Sequence, residues 1–198
     1  VWNGVGLWVD MVRVPPSGTW ERRRADLYGL ATAWLGPWAV GEADALEHLV
    51  RRYLAGFGPA SLGDLGSWAG LPLTTLRPVL ERVGTRRFRD ERGGELFDLD
   101  DAPLPEEGIP APPRFLSTWD ANLLVHARRT QVLPDRHRGR IFHVKAPNSY
   151  PTFLVDGAVA GTWRHQEGRV LLEPFEPLAA ATRRQLEDEA ERLAAFHH

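Results

Sequence analysis

Residues 44–101 constrain the fold more than any other stretch: three apolar-striped segments with their own stop signals, then a hairpin centred on Gly93-Gly94. Over residues 45–57, Leu46, Leu49, Val50, Tyr53, Leu54 and Phe57 recur at helical spacing and define one buried face. Asp44 with Glu47 three residues on predicts a capping box at its start, and Gly58-Pro59 closes it. Ser61 with Asp64 predicts a second capped helix, whose Leu62, Leu65 and Trp68 point inward and which stops at Gly70. A third helix is expected to start near Thr74 or Thr75, with Pro78 close to its first turn, where a missing N–H costs little. Leu76, Val79, Leu80 and Val83 make its core stripe and leave Thr75, Arg77, Glu81 and Arg82 on the outer face.

Alternation over residues 86–90 and 95–99, around Arg92-Gly93-Gly94, predicts a tight hairpin. Helix, helix-turn-helix, hairpin is the order of a winged helix-turn-helix, which offers its third helix to the major groove. On that reading Thr75, Arg77 and Arg82 meet base edges and phosphates, while Arg87, Arg89 and Arg92 meet the adjacent backbone. The competing reading is a scaffold or protein-contact module. Charge keeps it open: eight Arg stand against ten Asp plus Glu in this stretch, not a strong basic footprint.

The other segments are less patterned. Leu7 to Val14 is expected to be a strand with residues 26–30 as its partner, and Arg22, Arg23 and Arg24 lie in the turn between them. Residues 1–43 thus read as the wing and tail of a preceding winged helix, its arginines either phosphate contacts or a solvated turn. Residues 102–113 hold five Pro and form an extended linker. From 114 the composition turns basic, with Arg128, Arg129, Arg136, Arg138, Arg140 and Lys145 as the densest positive cluster. Those side chains either follow a DNA backbone, form a solvated helical face or pair with carboxylates of the acidic winged helix.

Residues 152–175 predict a three-stranded meander turning at Asp156-Gly157 and again at residues 165–168, with Trp163 in the core and Arg164 near the second turn. A last helix over residues 178–196 is expected to bury Leu186, Ala190 and Leu193 against that sheet. The fold class is therefore α+β: a tandem winged helix, its first copy incomplete, then a small C-terminal α+β domain over residues 114–198.

Composition narrows the chemistry. A chain of 198 residues with 43% hydrophobic content buries a real core. With no Cys there is no disulfide framework, thiolate nucleophile or Cys-ligated zinc, and the seven His show no metal-binding spacing. No glycine-rich phosphate loop follows a strand, so no cofactor is expected. No apolar run has membrane-spanning length and no secretory signal precedes the fold, which makes a soluble cytoplasmic protein the expectation, with double-stranded DNA as partner and no membrane. Val1 stands where an initiator would be and Met11 is the only Met, so the chain reads as part of a longer protein. Asp120 and His126 form either an acid/base pair or a structural hydrogen bond; no nucleophile motif accompanies them.

Two blocks carry a resemblance. Residues 119–129, Trp-Asp-Ala-Asn-Leu-Leu-Val-His-Ala-Arg-Arg, resemble the DNLLLSHADR block of bacterial winged-helix DNA-binding proteins. Residues 154–164, Leu-Val-Asp-Gly-Ala-Val-Ala-Gly-Thr-Trp-Arg, resemble their LVDGxVAGTWR segment, and Trp34-Leu35-Gly36 and residues 172–175 fit as well. The chain is similar over nearly its whole length to the AlkZ/YcaQ-like, crosslink-repair DNA glycosylase family. That resemblance implies tandem winged helices around a concave DNA surface, in a protein of which this chain is the C-terminal half to two-thirds. Some members excise alkylated bases and unhook interstrand crosslinks with a Gln-x-Gln pair in the N-terminal part. Here Gln131, Gln166 and Gln185 are isolated, so the resemblance transfers no catalytic residue.

Overall fold

Ser61 and Asp64 form the capping box that the sequence predicts. The Ser61 hydroxyl accepts the Asp64 N–H at 3.0 Å and Asp64 Oδ2 accepts the Ser61 N–H at 3.0 Å. The helix they start ends at Gly70, whose left-handed φ of 65° suits a residue without a Cβ. This computed structural model describes residues 5–6, 8–17, 27–37, 39–127, 129–143 and 148–196. It divides into two compact units, Val1–Ala45 and Leu46–His198. Among the described residues no helix is long and apolar enough to cross a membrane.

The first unit pairs β1 (Met11–Arg13) antiparallel with β2 (Tyr28–Leu30), Met11 opposite Leu30, before the short helix α1 (Ala31–Leu35). The expected strand pair is there but shorter. Arg22, Arg23 and Arg24 lie outside the described residues.

Helix α2 (Glu42–Phe57) begins earlier than predicted: Asp44 lies inside its first turn beside Glu42, not at the cap. Acidic groups there complement the positive helix end, so the start moves forward without loss. Helix α3 (Leu62–Ala69) follows, then α4 (Leu73–Val83). Pro78 is a second correction. It stands well inside α4, so one backbone hydrogen bond is missing from an exposed turn. Strands β3 (Thr85–Arg89) and β4 (Glu95–Leu99) pair with Thr85 opposite Leu99 and turn through Gly93 at φ 81°. Val50, Tyr53, Leu54, Leu65, Leu76, Val79, Leu80 and Phe97 close over one core.

No helix or strand interrupts residues 102–113. Beyond them a four-stranded antiparallel sheet runs in the order β10-β9-β8-β5, with β5 (Arg114–Leu116), β8 (Thr152–Val155), β9 (Ala158–Gln166) and β10 (Arg169–Pro174). The meander is as predicted, and β5 is an added edge. The second turn is tighter than expected: Glu167-Gly168 alone make it, and His165 is a strand residue opposite Val170. Between β5 and β8 come α5 (Ala121–Leu124), α6 (Asp135–Ile141) and a small pair, β6 (Phe142–His143) with β7 (Asn148–Ser149). Helix α7 (Ala180–Phe196) buries Leu186 and Ala190 and packs on β10 and β5. Trp163 packs edge-on to Phe115 at 5.6 Å and donates its indole N–H to Leu116 O at 2.9 Å.

Candidate nucleic-acid interface

Helix α4 shows how a stripe of core residues dictates an outer face. Leu76, Val79, Leu80 and Val83 are buried, so Arg77 and Arg82 project outward, while Thr75 is half-buried at the edge. Neither arginine has an ion-pair partner among the described residues. Both charges remain available to an external anion.

The hairpin arginines are more engaged. Arg87 lies 5.6 Å over the Phe97 ring and pairs with Glu95 at 3.1 Å. Arg89 donates to Gly93 O at 3.0 Å, and Arg92 stands exposed at the tip. Asp90 holds that tip by accepting the N–H groups of Arg92 and Gly94 at 2.9 and 2.6 Å. An open cleft of about 270 Å³ lies between the tip and Thr130-Gln131, so Arg92 comes close to the turn ahead of α6.

Helix α6 carries three of the six residues of the predicted cluster, Arg136, Arg138 and Arg140. Arg136 pairs with Glu176 at 3.4 Å, Arg138 lies 5.4 Å over the Phe142 ring, and Arg140 stacks 3.9 Å over the Phe175 ring. Arg164 on β9 pairs with Glu173 at 2.6 Å. These ion pairs are solvent-exposed, worth about 0–1 kcal/mol, so a phosphate competes for the same guanidinium groups at little cost. His137 between them is buried. Burial first, then the neighbouring Arg136, hold its imidazole below the usual value, with Glu176 pulling the other way. Arg128 and Lys145 lie outside the described residues.

Arg129 faces inward. It donates to Pro59 O at 2.9 Å, at a seam that the sequence pattern does not foreshadow. There the turn after α5 closes against α2 and α3. Tyr53 donates its hydroxyl to Val125 O at 2.8 Å, His126 Nε2 meets Phe57 O at 3.0 Å, and Asp64 Oδ1 accepts the Ala127 N–H at 2.8 Å. Val125 joins the helical core directly. Burial pushes the Tyr53 phenol far up and, with Arg129 adding to it, holds His126 below its ordinary value. Burial alone would raise the Asp64 carboxyl, but hydrogen bonds from Ser61 and Ala127, with the charge of His126, hold it down. Asp120 does not meet His126: it caps α5 through Asn122 N at 3.0 Å. The seam joins residues 63 to 72 apart in sequence, and only Asp64 carries a local signal.

The glutamines are dispersed: Gln131 borders the cleft, Gln166 ends β9 and Gln185 is on α7. No Gln pair is formed by these three.

Fold and charge together define a mixed α+β protein that carries arginines on a helical module, on its hairpin and on a helix beside the following sheet. The chain belongs to the family described as DNA glycosylase AlkZ-like, whose profile matches residues 1–196. Among solved structures it is similar to the Streptomyces sahachiroi DNA glycosylase AlkZ, at 21% identity and a TM-score of 0.69, over 85% of this chain and 48% of that one. The chain thus spans about half the length of that protein, and the likeness speaks for the fold. A comparison with curated proteins finds no match.

Proposed function

We propose that the chain is the DNA-docking part of a repair glycosylase, in which residues 44–101 form a winged helix-turn-helix seated on the C-terminal α+β domain. The observation that carries this is the pair of outward arginines on α4, Arg77 and Arg82, with no ion-pair partner among the described residues, in a chain of the AlkZ-like family. In the docked complex α4 enters the major groove, with Thr75 at its rim. Arg87, Arg89 and Arg92 of the hairpin take phosphates beside it. Arg136, Arg138, Arg140 and Arg164, with Arg128 and Lys145, extend the electrostatic contact along the duplex.

Arg129 serves the same surface indirectly. By tying the turn after α5 to Pro59 it fixes α6 relative to the helical module, which sets the spacing between the two groups of arginines. No residue of this chain is assigned to bond cleavage. Base excision by the full-length protein is tested on an alkylated duplex, followed by alkali to cut at abasic sites. Strand breaks that depend on the protein support the repair reading. Duplex binding without any excision reduces the function to DNA binding alone, the second reading that the arginine distribution favours.

A further inference from the structure

Trp119 is the one described aromatic residue with a left-handed backbone, at φ 56°. A bulky side chain in that region is strained and persists only where the surroundings impose it. The restraint is visible. Trp119 N–H donates at 2.6 Å to the hydroxyl of Ser149, itself 2% exposed, on strand β7. The next residue, Asp120, is fixed as the cap of α5.

The result of that conformation is an open ring. Trp119 is 49% exposed, with one side of its indole 6.1 Å from the Phe142 ring. Arg138 lies over the same Phe142 ring at 5.4 Å. Tyr150, next to Ser149 and 42% exposed, packs edge-on to His143 at 5.5 Å. The Trp119 and Phe142 rings and the Arg138 guanidinium therefore lie in series beside α6. A nucleic-acid strand with an unstacked base needs both, a π-face for the base and cations for its flanking phosphates.

We propose that Trp119 is a stacking platform for an unpaired nucleobase, with Arg138, over the neighbouring Phe142 ring, taking a flanking phosphate. The inference rests on the DNA reading above and deepens it: the reading concerns duplex docking, and this site concerns a base out of the helix. The test uses the full chain and three labelled DNAs of one sequence: a paired duplex, the same duplex with a one-nucleotide bulge, and the single strand. Trp119→Asn removes the ring but suits the left-handed backbone, and Trp119→Phe keeps a smaller ring. The wild type is expected to prefer bulged and single-stranded DNA over the paired duplex. Trp119→Asn should lose that preference by roughly tenfold, Trp119→Phe should keep most of it, and paired-duplex affinity should not change. A preference that survives in Trp119→Asn, or that the wild type lacks while still binding duplex, overturns the platform and leaves the docking reading standing. Failure of the wild type to bind any of the three DNAs sinks both.

Discussion

Asp64 Oδ1 accepts the backbone N–H of Ala127 at 2.8 Å, across 63 residues of chain, while its Oδ2 closes the capping box with Ser61. One carboxylate therefore starts helix α3 of the helical module and fastens the turn after α5 to it. Tyr53, His126 and Arg129 tighten the same seam. These bonds hold the turn ahead of α6 against α2 and α3, which fixes the spacing between the arginines of the helical module and those of α6.

The double duty of Asp64 separates two variants. Ser61→Ala removes only the cap, which costs about 1 kcal/mol. Asp64→Ala keeps the Ser61 hydroxyl cap but removes the acceptor of both the Ser61 and the Ala127 N–H, so its destabilisation should exceed that of Ser61→Ala by up to about 1 kcal/mol. Urea unfolding of both variants measures the difference. Equal destabilisation would mean that the Ala127 bond contributes nothing to stability.

Tyr53→Phe deletes one hydroxyl. The ring stays packed, since Tyr53 is only 1% exposed, but the Val125 carbonyl is left without its donor. A stability decrease of about 1–3 kcal/mol is expected, with duplex affinity of the folded protein unchanged. Thermal and urea unfolding read the first quantity and anisotropy the second.

Acid should weaken the fold through histidine before it does so through carboxylates. His126 and His137 have folded values below their ordinary ones, chiefly by burial. The unfolded chain then binds more protons across the window that opens near the ordinary histidine value of about 6.5 and extends down to the folded values, so stability falls as pH falls through it. Asp64, also depressed, adds a second decrease only as pH drops through its folded value, below the ordinary carboxylate range. His126→Gln keeps a donor for Phe57 O but cannot titrate. Its stability should depend less on pH between about 6.5 and 5 than that of the wild type, and an unchanged slope would contradict the buried neutral imidazole.

Gly161 explains part of the VAGTW block. A Cβ there would meet the Phe153 ring at 2.3 Å and the Glu173 carbonyl at 2.6 Å. Backbone on one side and a fully buried ring on the other leave nowhere to shift. Gly161→Ala should cost about 1–3 kcal/mol by overpacking, visible as a lowered melting temperature. A neutral effect would show that the sheet relaxes there.

Local chemistry made much of this legible. The Ser61/Asp64 box, Gly70 and the Gly93-Gly94 turn specify their elements within a few residues, and the apolar stripe of α4 settles which arginines face out. Strand β5 was hidden because its three residues are too few for alternation to show. Helix α6 was hidden because Asp-Arg-His-Arg-Gly-Arg-Ile has no apolar repeat; its position comes from burying His137 and Ile141. The seam was illegible for a different reason. Backbone atoms at Val125, Ala127, Phe57 and Pro59 do the bonding there, and backbone atoms carry no sequence signal.

The most direct test is the salt dependence of duplex binding by the full chain, measured by anisotropy for the wild type, Arg77→Ala, Arg82→Ala and an Arg136/Arg138/Arg140→Ala triple variant. If α4 and α6 touch one duplex together, log K falls linearly with log salt, and removing a single arginine–phosphate pair reduces the slope by about 1. Shallower slopes in both the α4 and the α6 variants are the predicted result. Slopes unchanged from the wild type in either set, or binding that does not respond to salt, would contradict the account.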